Sequence, residues 1–387
     1  MRGKEHYGEQ HGLATGAAVR SIDVFTEMDA ARADWLALSD ATGVSPYQSF
    51  AFLSAWRDTI GRAGNVEPFI IVARDADGAP TALLPLCVID RSIRIALFLG
   101  GRESNFNLPL LRPDAGHDSE SLRDLLVQAA RLTPAGPDLY YLRNQPLRFE
   151  GVDNPLAFRN AHPSASFGYG ATLPAKADAL AARFSKETRK KLRRKEQRLA
   201  ELGALTYEHR VKGAHGAEIV DALLRQKAAR FDLGGEFARL NVSGLLNQLR
   251  ERAEDGGVEL HALRMGERIV ATYAGVVRGG RFSAMLNSFE QDDRFARCSP
   301  GELLLHALMR DLVARGMTHF DLGAGEARYK SRVCDETIAL CDATLPVSAR
   351  GAVVAPLLSA YLRLKRRVKQ TPALAKAYYR LRSAIAG

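Results

Sequence analysis

The sequence has few cysteines and no cysteine pattern typical of a metal site. Its four cysteines, Cys87, Cys298, Cys334 and Cys341, are scattered along the chain without a Cys-x-x-Cys pair. This scatter argues against structural zinc and against a disulfide framework, and it suits a reducing compartment. We therefore expect no metal centre and a cytoplasmic location.

Long apolar runs are also missing. No stretch reaches eighteen consecutive apolar residues, so the sequence predicts no membrane-spanning helix. Residues 1–18 are polar and lack an apolar core, which is not typical of a secretory signal, and we expect a disordered lead-in there. The whole chain has 387 residues, 46% of them hydrophobic and 25% charged, and this allows two domains with cores of their own.

Acidic residues are absent after Asp342. Residues 343–387 carry nine Lys and Arg residues, and subtracting these from the 54 in the chain leaves 45 basic against 44 acidic residues in 1–342. The net charge of +10 therefore belongs to the tail, while the body is nearly neutral. This distribution argues against a body that binds DNA or any other polyanion without selectivity.

The tail, residues 346–387, predicts amphipathic helices at an anionic membrane surface. Its apolar residues recur at three- and four-residue spacing, in two sets: Leu357, Tyr361, Leu364 and Val368, then Leu374, Tyr378, Leu381 and Ile385. We expect a peripheral position at the inner face of the cell membrane, the alternative being a helix packed on the protein's own body. Arg363, Arg366 and Arg367 are the expected contacts to lipid or to an anionic effector. The spacing Arg363-x-x-x-Arg367 is that of a cyclic-dinucleotide-binding motif.

An order of elements repeats about 190 residues apart. The first copy predicts helix Tyr47–Ile60, strands Pro68–Arg74, Thr81–Ile89 and Ile93–Leu99, helix Ser121–Leu132 and strand Leu139–Leu142. The second predicts helices Glu218–Phe231 and Gly244–Ala253, strands Val258–Arg264, Arg268–Val277 and Arg281–Phe289, helix Pro300–Arg315 and strand His319–Leu322. A meander followed by a helix and a strand, found twice, indicates a duplicated α+β fold with halves 19–165 and 166–345.

Between the two copies, residues 184–201 predict a strongly basic helix with Ser185 as its cap. Two interpretations stay open. The helix is either a solvated surface element or a positive wall that faces an anionic substrate or membrane.

The start of the helix at Pro300 is a candidate phosphate site. Ser299 suits the N-cap and Pro300 the first turn, which leaves backbone N–H groups at a positive helix end. Arg294 and Arg297 precede this end, and with Ser299 and Gly301 they are the candidate residues for a pyrophosphate. Capping alone is the alternative explanation of this pattern.

The segment Asp321-Leu-Gly-Ala-Gly resembles the nucleotide loop of an adenosylmethionine-dependent methyltransferase. Its position argues against that function, because such a loop opens a βαβ series and leads into an apolar helix. Here it follows a meander near the end of the repeat and leads into Arg328-Tyr-Lys-Ser-Arg.

Four segments together resemble the CelD/BcsL family of GNAT acyltransferases, which are relatives of the FemAB peptidoglycan transferases. They are SKETRKKLRR (185–194), GERIVATYAG (266–275), SPG (299–301) and FDLGAGEARYK (320–330). The resemblance covers roughly residues 20–345. It implies a tandem GNAT fold, an acyl-CoA donor such as acetyl-CoA, and N-acylation of an amino sugar in a lipid-linked or nascent surface polysaccharide.

The chemistry of such a transfer suggests roles for particular residues. Tyr329 would donate to the oxyanion or to the leaving thiolate, and Asp321 or Glu326 would accept the proton of the amine. The alternative for each acid is a solvated or cap-forming carboxylate. Lys330 and Arg332 would contact donor phosphates. In the first half, Asn105 and Asn107 would contact sugar hydroxyls, although turn formation explains these asparagines equally well.

Two alternative functions remain from the sequence. The glycine-rich loop of ordinary GNAT proteins is reduced to Arg297–Gly301, and FemAB relatives use aminoacyl-tRNA, so tRNA-dependent aminoacyl transfer is the first alternative. The second is a catalytically idle GNAT pair that acts as a membrane-recruited regulatory or scaffold protein.

Overall fold

The computed structural model describes residues 6–10, 19–41, 45–229, 235–252, 256–371 and 374. Its strands are β1 His6–Gln10, β2 Ser21–Phe25, β3 Glu67–Arg74, β4 Pro80–Asp90, β5 Arg94–Phe98, β6 Leu110–Leu111, β7 Leu139–Pro146, β8 Arg148–Phe149, β9 Val152–Asp153, β10 His162–Pro163, β11 Gly168–Thr172, β12 Leu205–Glu208, β13 Val258–Met265, β14 Arg268–Arg278, β15 Arg281–Phe289, β16 His319–Ala324, β17 Glu336–Ile338 and β18 Leu340–Pro346. Its helices are α1 Arg32–Ala41, α2 Phe50–Trp56, α3 Ser119–Leu132, α4 Ala177–Ala182, α5 Lys186–Ala200, α6 Gly213–Ala228, α7 Gly235–Arg250, α8 Asp293–Ala296, α9 Pro300–Ala314, α10 Lys330–Val333 and α11 Ala349–Gln370.

The first sheet has the strand order β1-β2-β3-β4-β5-β7-β18-β10, with β6 paired to β4. Strands β3, β4 and β5 form an antiparallel meander, and β7 pairs in parallel with β5. Because parallel neighbours need a crossover connection, helix α3 joins β5 to β7 and packs its apolar side beneath the sheet.

The second sheet repeats this arrangement in the order β12-β13-β14-β15-β16-β11-β17. Strands β13, β14 and β15 form the meander, β16 pairs in parallel with β15, and helix α9 makes the crossover. The meander, helix and parallel strand therefore occur twice, which confirms the duplicated α+β fold that the sequence predicts.

The two halves are interlocked by their closing strands. Strand β18 lies at the end of the second half in sequence but enters the first sheet, where it pairs with β7 and β10. Strand β11, which opens the second half, lies between β16 and β17 in the second sheet. One hydrophobic core joins the halves, with Tyr47, Leu53 and Phe106 packed together with residues of α7 and β13. This shared core fixes the position of one sheet against the other.

Two sequence-based expectations need correction or restriction. Within the lead-in that we expected to be disordered, His6–Gln10 forms β1, antiparallel to β2. The free edge of β2 offers a row of N–H and C=O groups, and the short segment β1 pairs with them. The predicted helix ends Phe231 and Ala253 lie outside the described residues.

The first tail helix exists as α11, and it packs on the protein through one face. Ser348 caps it, and Gly351, Ala355, Ser359 and Leu362 are buried against the first sheet. Three residues of the second predicted apolar set, Tyr378, Leu381 and Ile385, lie outside the described residues. Among the described helices, none combines the length and the apolar character needed to cross a bilayer.

Candidate active site

A cleft of about 960 Å³ opens beside the second sheet. It is lined by the end of β15, the first turns of α9, one face of α5, and the residues at the start of α10. The basic helix between the repeats thus forms one wall of this cleft. Ser185 caps that helix as predicted, accepting a hydrogen bond from the Thr188 backbone N–H at 3.1 Å.

The cleft is strongly cationic. Its basic lining residues are Arg183, Lys191, Lys195, Lys227, Arg328 and Arg332. Glu302 is the one carboxylate among the described lining residues, and Lys195 forms an ion pair with it. Arg183 and Lys191 pair with carboxylates outside the lining, Asp335 at 3.2 Å and Glu187 at 2.8 Å. Arg328 and Arg332 form no ion pair within the described part of the chain, and cations around a concave surface favour a ligand with several negative charges.

The N-terminus of α9 faces this cleft, with Ser299 and Gly301 among the lining residues. Ser299 occupies the N-cap position as predicted, but it adopts a left-handed conformation with φ 52° and its side chain makes no capping bond. The capping role is therefore wrong. A strained left-handed residue other than glycine is common at ligand sites, and here its hydroxyl is not used by the helix.

A chain of polar groups leads to Tyr329. The Asn287 Nδ2 donates to the Tyr273 hydroxyl at 3.1 Å, and Tyr273 in turn hydrogen-bonds with Tyr329. Burial raises the pKa of Tyr273 well above its ordinary value, so this phenol stays protonated at neutral pH. Tyr329 lines the cleft with its hydroxyl oriented by a neutral, buried partner.

Three of the predicted phosphate-binding cations lie away from the cleft lining. Arg294 folds back on Asp292, with Nη2 and Oδ2 2.6 Å apart, and Arg297 is exposed beside it. The Lys330 Nζ donates to the Gly323 and Ala324 carbonyls at 3.3 and 3.2 Å, and burial lowers its pKa. Lys330 therefore holds the loop after β16, and Arg332 is the predicted cation that reaches the cleft.

Neither predicted proton acceptor lines the cleft. Asp321 is fully buried, accepts a hydrogen bond from Ser283 and lies 3.6 Å from Arg281, and burial raises its pKa to about 6. Glu326 accepts hydrogen bonds from the Phe167 backbone N–H and from Gln370 of α11. Both carboxylates have structural partners that turn them away from a ligand in the cleft.

Asn105 and Asn107 do not line the cleft, and their side chains instead form hydrogen bonds with strand backbones. Parallel pairing of β15 and β16 stops after Ser283 and Asp321, and the strands then separate. Asn105 spans this gap: its Nδ2 donates to the Ala284 carbonyl at 3.2 Å, and its Oδ1 accepts from the Ala324 N–H at 3.4 Å. Asn107 donates to the Arg143 carbonyl in the first sheet at 2.9 Å.

Sequence reasoning missed the polar cleft residues of the second meander and of α6. These are Gln226, Lys227, Tyr273, Asn287 and Ser288. They lie inside segments whose apolar content predicts core positions. A signal was nevertheless present, because the adjacent polar residues Asn287-Ser288 follow the apolar run Ala284-Met-Leu286 in β15.

His306 lines the cleft one helical turn after Glu302, and it packs edge-on against Phe184 with ring centroids 4.5 Å apart. Burial lowers its pKa to about 4, below the ordinary value of 6.5, so the unfolded chain binds its proton first. The contribution of neutral, partly buried His306 to the free energy of unfolding is therefore fully present above pH 6.5 and is lost as the pH falls toward 4.

On acidification the free energy of unfolding decreases, and we expect His306→Gln to reduce this decrease by up to about 3 kcal/mol. Denaturant unfolding of both proteins at pH 7 and at pH 4.5 measures the difference. Equal pH dependence in the variant and the original protein would contradict the prediction. The comparison cancels the opposite contribution of the buried Asp321 carboxyl, which both proteins share.

A group of side chains outside the cleft has the composition of a metal site. His209, His261 and Asp311 place one ligand atom each within 4.8 Å of one another. The Arg315 guanidinium, however, lies 3.1 Å from Asp311 and pairs at 2.7 Å with Glu259. This cation gives both carboxylates a partner within the chain, so the cluster does not require a metal for charge balance.

The duplicated meander, helix and parallel strand give this protein a tandem GNAT-like α+β fold. Residues 186–331, which contain α5, the second meander, α9 and the loop to α10, match the family model described as an acetyltransferase (GNAT) domain. The match includes the basic helix and most of the cleft lining. The chain therefore carries a transferase-type domain in its second half, fused to a first half of the same architecture.

Solved structures of similar fold extend over nearly the whole chain. A putative lysylphosphatidylglycerol synthetase C-terminal domain from Agrobacterium fabrum matches with a TM-score of 0.51 and 14% identity, covering 87% of this chain and 97% of that one. FemX matches with a TM-score of 0.51 and 11% identity over 81% and 98% of the two chains. A protein of unknown function from Bacteroides thetaiotaomicron gives 0.52 and 12% over 83% and 99%. At such identities these matches show the fold alone. A comparison with curated proteins returned no match.

Proposed function

We propose that this protein is an N-acyltransferase that binds an acyl-CoA in the cationic cleft and transfers the acyl group to an amine. The observation that carries the proposal is the cleft itself: six cations against one paired carboxylate, at the start of α9, inside the segment that matches a GNAT domain. A CoA thioester carries a pyrophosphate and a further phosphate, which suits such a lining.

The chemistry requires alignment, oxyanion stabilisation and one proton transfer. The amine nitrogen attacks the thioester carbonyl, a C–N bond forms, the C–S bond breaks, and the amine loses a proton while the thiolate gains one. Tyr329 is the proposed donor to the oxyanion or the thiolate. Its position in the cleft lining and its hydrogen bond with Tyr273, which Asn287 contacts in turn, support this role. The proton that the amine loses balances the one that the thiolate gains, so the net protonation of the protein does not change in this step.

The acceptor we propose is the amino group of a sugar in a lipid-linked or nascent surface polysaccharide, and acetyl-CoA is the proposed donor. This finer assignment rests on the resemblance of the four segments between residues 185 and 330 to CelD/BcsL acyltransferases. The support from the structure is that all four segments lie on or next to the cleft walls.

Aminoacyl-tRNA is a second candidate donor, and one observation favours it. Helix α5 carries further exposed cations beyond the cleft lining, namely Lys190, Arg193, Arg194 and Arg198. A positive surface of that extent exceeds what one CoA molecule contacts, and it suits a nucleic-acid backbone.

Calorimetric titration with acetyl-CoA tests the proposal, followed by a thiol-release assay with a glucosamine acceptor. We expect saturable binding with one site per chain and acceptor-dependent release of CoA. Binding without release for any amine would favour the idle scaffold. Absence of acetyl-CoA binding, together with product formation from aminoacyl-tRNA, would replace the acyl-CoA proposal with the tRNA-dependent one.

A further inference from the structure

Helix α11 has two faces of different character. Its inner face is buried against β18 and neighbouring segments through Gly351, Ala355, Ser359 and Leu362. Arg366 reinforces this packing, because its guanidinium donates to the Ser164 carbonyl and lies over the Phe167 ring, with Cζ 5.4 Å from the ring centroid. The helix is therefore fixed on the body as a part of the fold.

The opposite face is apolar and exposed. Val353, Leu357, Tyr361 and Leu364 are 67%, 67%, 58% and 60% exposed, which is unusual for four large apolar side chains. Their spacing of four, four and three residues places them on one stripe of the helix, on the side away from the buried residues. Within the described part of the chain, no residue covers this stripe.

Cations accompany the exposed stripe, and helix α11 contains no carboxylate. The exposed basic residues beside it are Arg350, Arg363, Lys365 and Arg367, whereas Lys369 in the last turn donates to the Ser166 hydroxyl of the body at 3.2 Å. The chain continues without any acidic residue to its last position. An apolar stripe between cations is complementary to a surface that is negative at its boundary and apolar beneath.

We propose that the outer face of α11 docks on an anionic membrane, inserting Val353, Leu357, Tyr361 and Leu364 between the lipid headgroups. A second protein chain fits the surface less well, since a fixed row of cations without any carboxylate repels a second copy of the same helix. Rigid attachment of α11 to the body means that docking also fixes the orientation of the whole molecule.

The orientation matters for the cleft. At the C-terminal end of α11 the Gln370 Nε2 donates to Glu326 at 2.9 Å, and Glu326 precedes the cleft residues Arg328 and Tyr329 by two and three positions. The docking helix is thus hydrogen-bonded to the segment that leads into the cleft. This contact suits delivery of a lipid-linked acceptor from the same membrane, and this consequence alone rests on the proposed function.

Vesicle co-sedimentation of the full chain tests the docking without any assay of activity. We expect binding to vesicles of phosphatidylglycerol and phosphatidylcholine, and at least tenfold weaker binding to phosphatidylcholine alone. The double variant Leu357→Asp with Leu364→Asp should weaken binding to the anionic vesicles at least tenfold. Moderate salt should reduce the binding of the original protein only in part, because apolar insertion is not screened.

The matched control is Leu147→Asp with Leu202→Asp, which introduces the same two charges at leucines 46% and 48% exposed elsewhere on the body. It should bind anionic vesicles like the original protein, and thermal unfolding should show that both variants fold. Failure of the original protein to sediment with anionic vesicles would overturn the proposal. So would unchanged sedimentation of the α11 variant, or vesicle-independent dimers that this variant abolishes.

Truncation of the tail is a weaker test than these substitutions. Deleting residues after Arg350 removes Ala355 and Leu362 from the hydrophobic packing and the Thr344–Ser359 contact from β18. Loss of vesicle binding by the truncated protein would therefore not distinguish loss of the docking face from loss of this packing. The substitutions separate the two effects because their side chains lie on the exposed face.

Discussion

Replacing Tyr329 with phenylalanine is expected to lower kcat about 10²–10³-fold, the usual cost of losing one donor to a developing oxyanion. The ring remains in place, so the KM for the donor and the unfolding temperature should change little. Steady-state kinetics with acetyl-CoA and an amino-sugar acceptor measure this. The Tyr273→Phe variant should show a smaller decrease, because Tyr273 acts by orienting Tyr329.

Tyr140→Phe is the control for loss of a buried phenol, since the Tyr140 hydroxyl donates to the Leu126 carbonyl at 2.7 Å beneath the first sheet. It should cost about 1 kcal/mol of stability and leave kcat unchanged. Turnover of Tyr329→Phe near that of the original protein would remove Tyr329 from the reaction. The donor to the oxyanion would then have to be sought among the other cleft residues.

Replacing Arg332 with alanine is expected to raise the donor KM by roughly 10–150-fold, equivalent to about 1.5–3 kcal/mol for a charge-assisted contact with a phosphate. Arg332 of α10 lines the cleft, whereas the exposed Arg297, just before α9, does not. The Arg297→Ala variant therefore provides the matched control and should keep the donor KM of the original protein.

Donor titration calorimetry separates this effect on binding from any effect on turnover. Equal donor affinities for Arg332→Ala and Arg297→Ala would show that Arg332 makes no phosphate contact. Lys330→Ala is expected to behave differently from both. Because Lys330 holds the Gly323 and Ala324 carbonyls, its loss should lower stability and turnover together.

The duplicated order of elements could be predicted from the sequence, because it depends on local patterns. Alternating apolar residues and short turns define β3–β5 and β13–β15, and the observed strands agree with the predicted ones to within a few residues at most ends. The basic helix α5 and its Ser185 cap were likewise predictable, since capping depends on neighbours in the chain.

Pairing between distant segments was decided only by the tertiary structure. Residues 340–346 have the composition of any buried strand, and nothing local shows that they enter the first sheet beside β7. The same holds for Asn105, whose partners Ala284 and Ala324 are about 180 and 220 residues away. Register across such separations depends on three-dimensional packing, which single-sequence periodicity does not contain.

For the predicted site, too, the sequence could assign the residues, but only the tertiary structure decided which of them face the cleft. The sequence, through its resemblance to a family, assigned Tyr329, Arg332, Ser299 and Gly301 to one site, and all four line the cleft. Which charges face the cleft was decided by burial and by ion pairs: Asp321 is enclosed with Ser283 and Arg281, and Arg294 is held by Asp292. The core that encloses a charge, or the partner that holds it, is visible only in the folded chain.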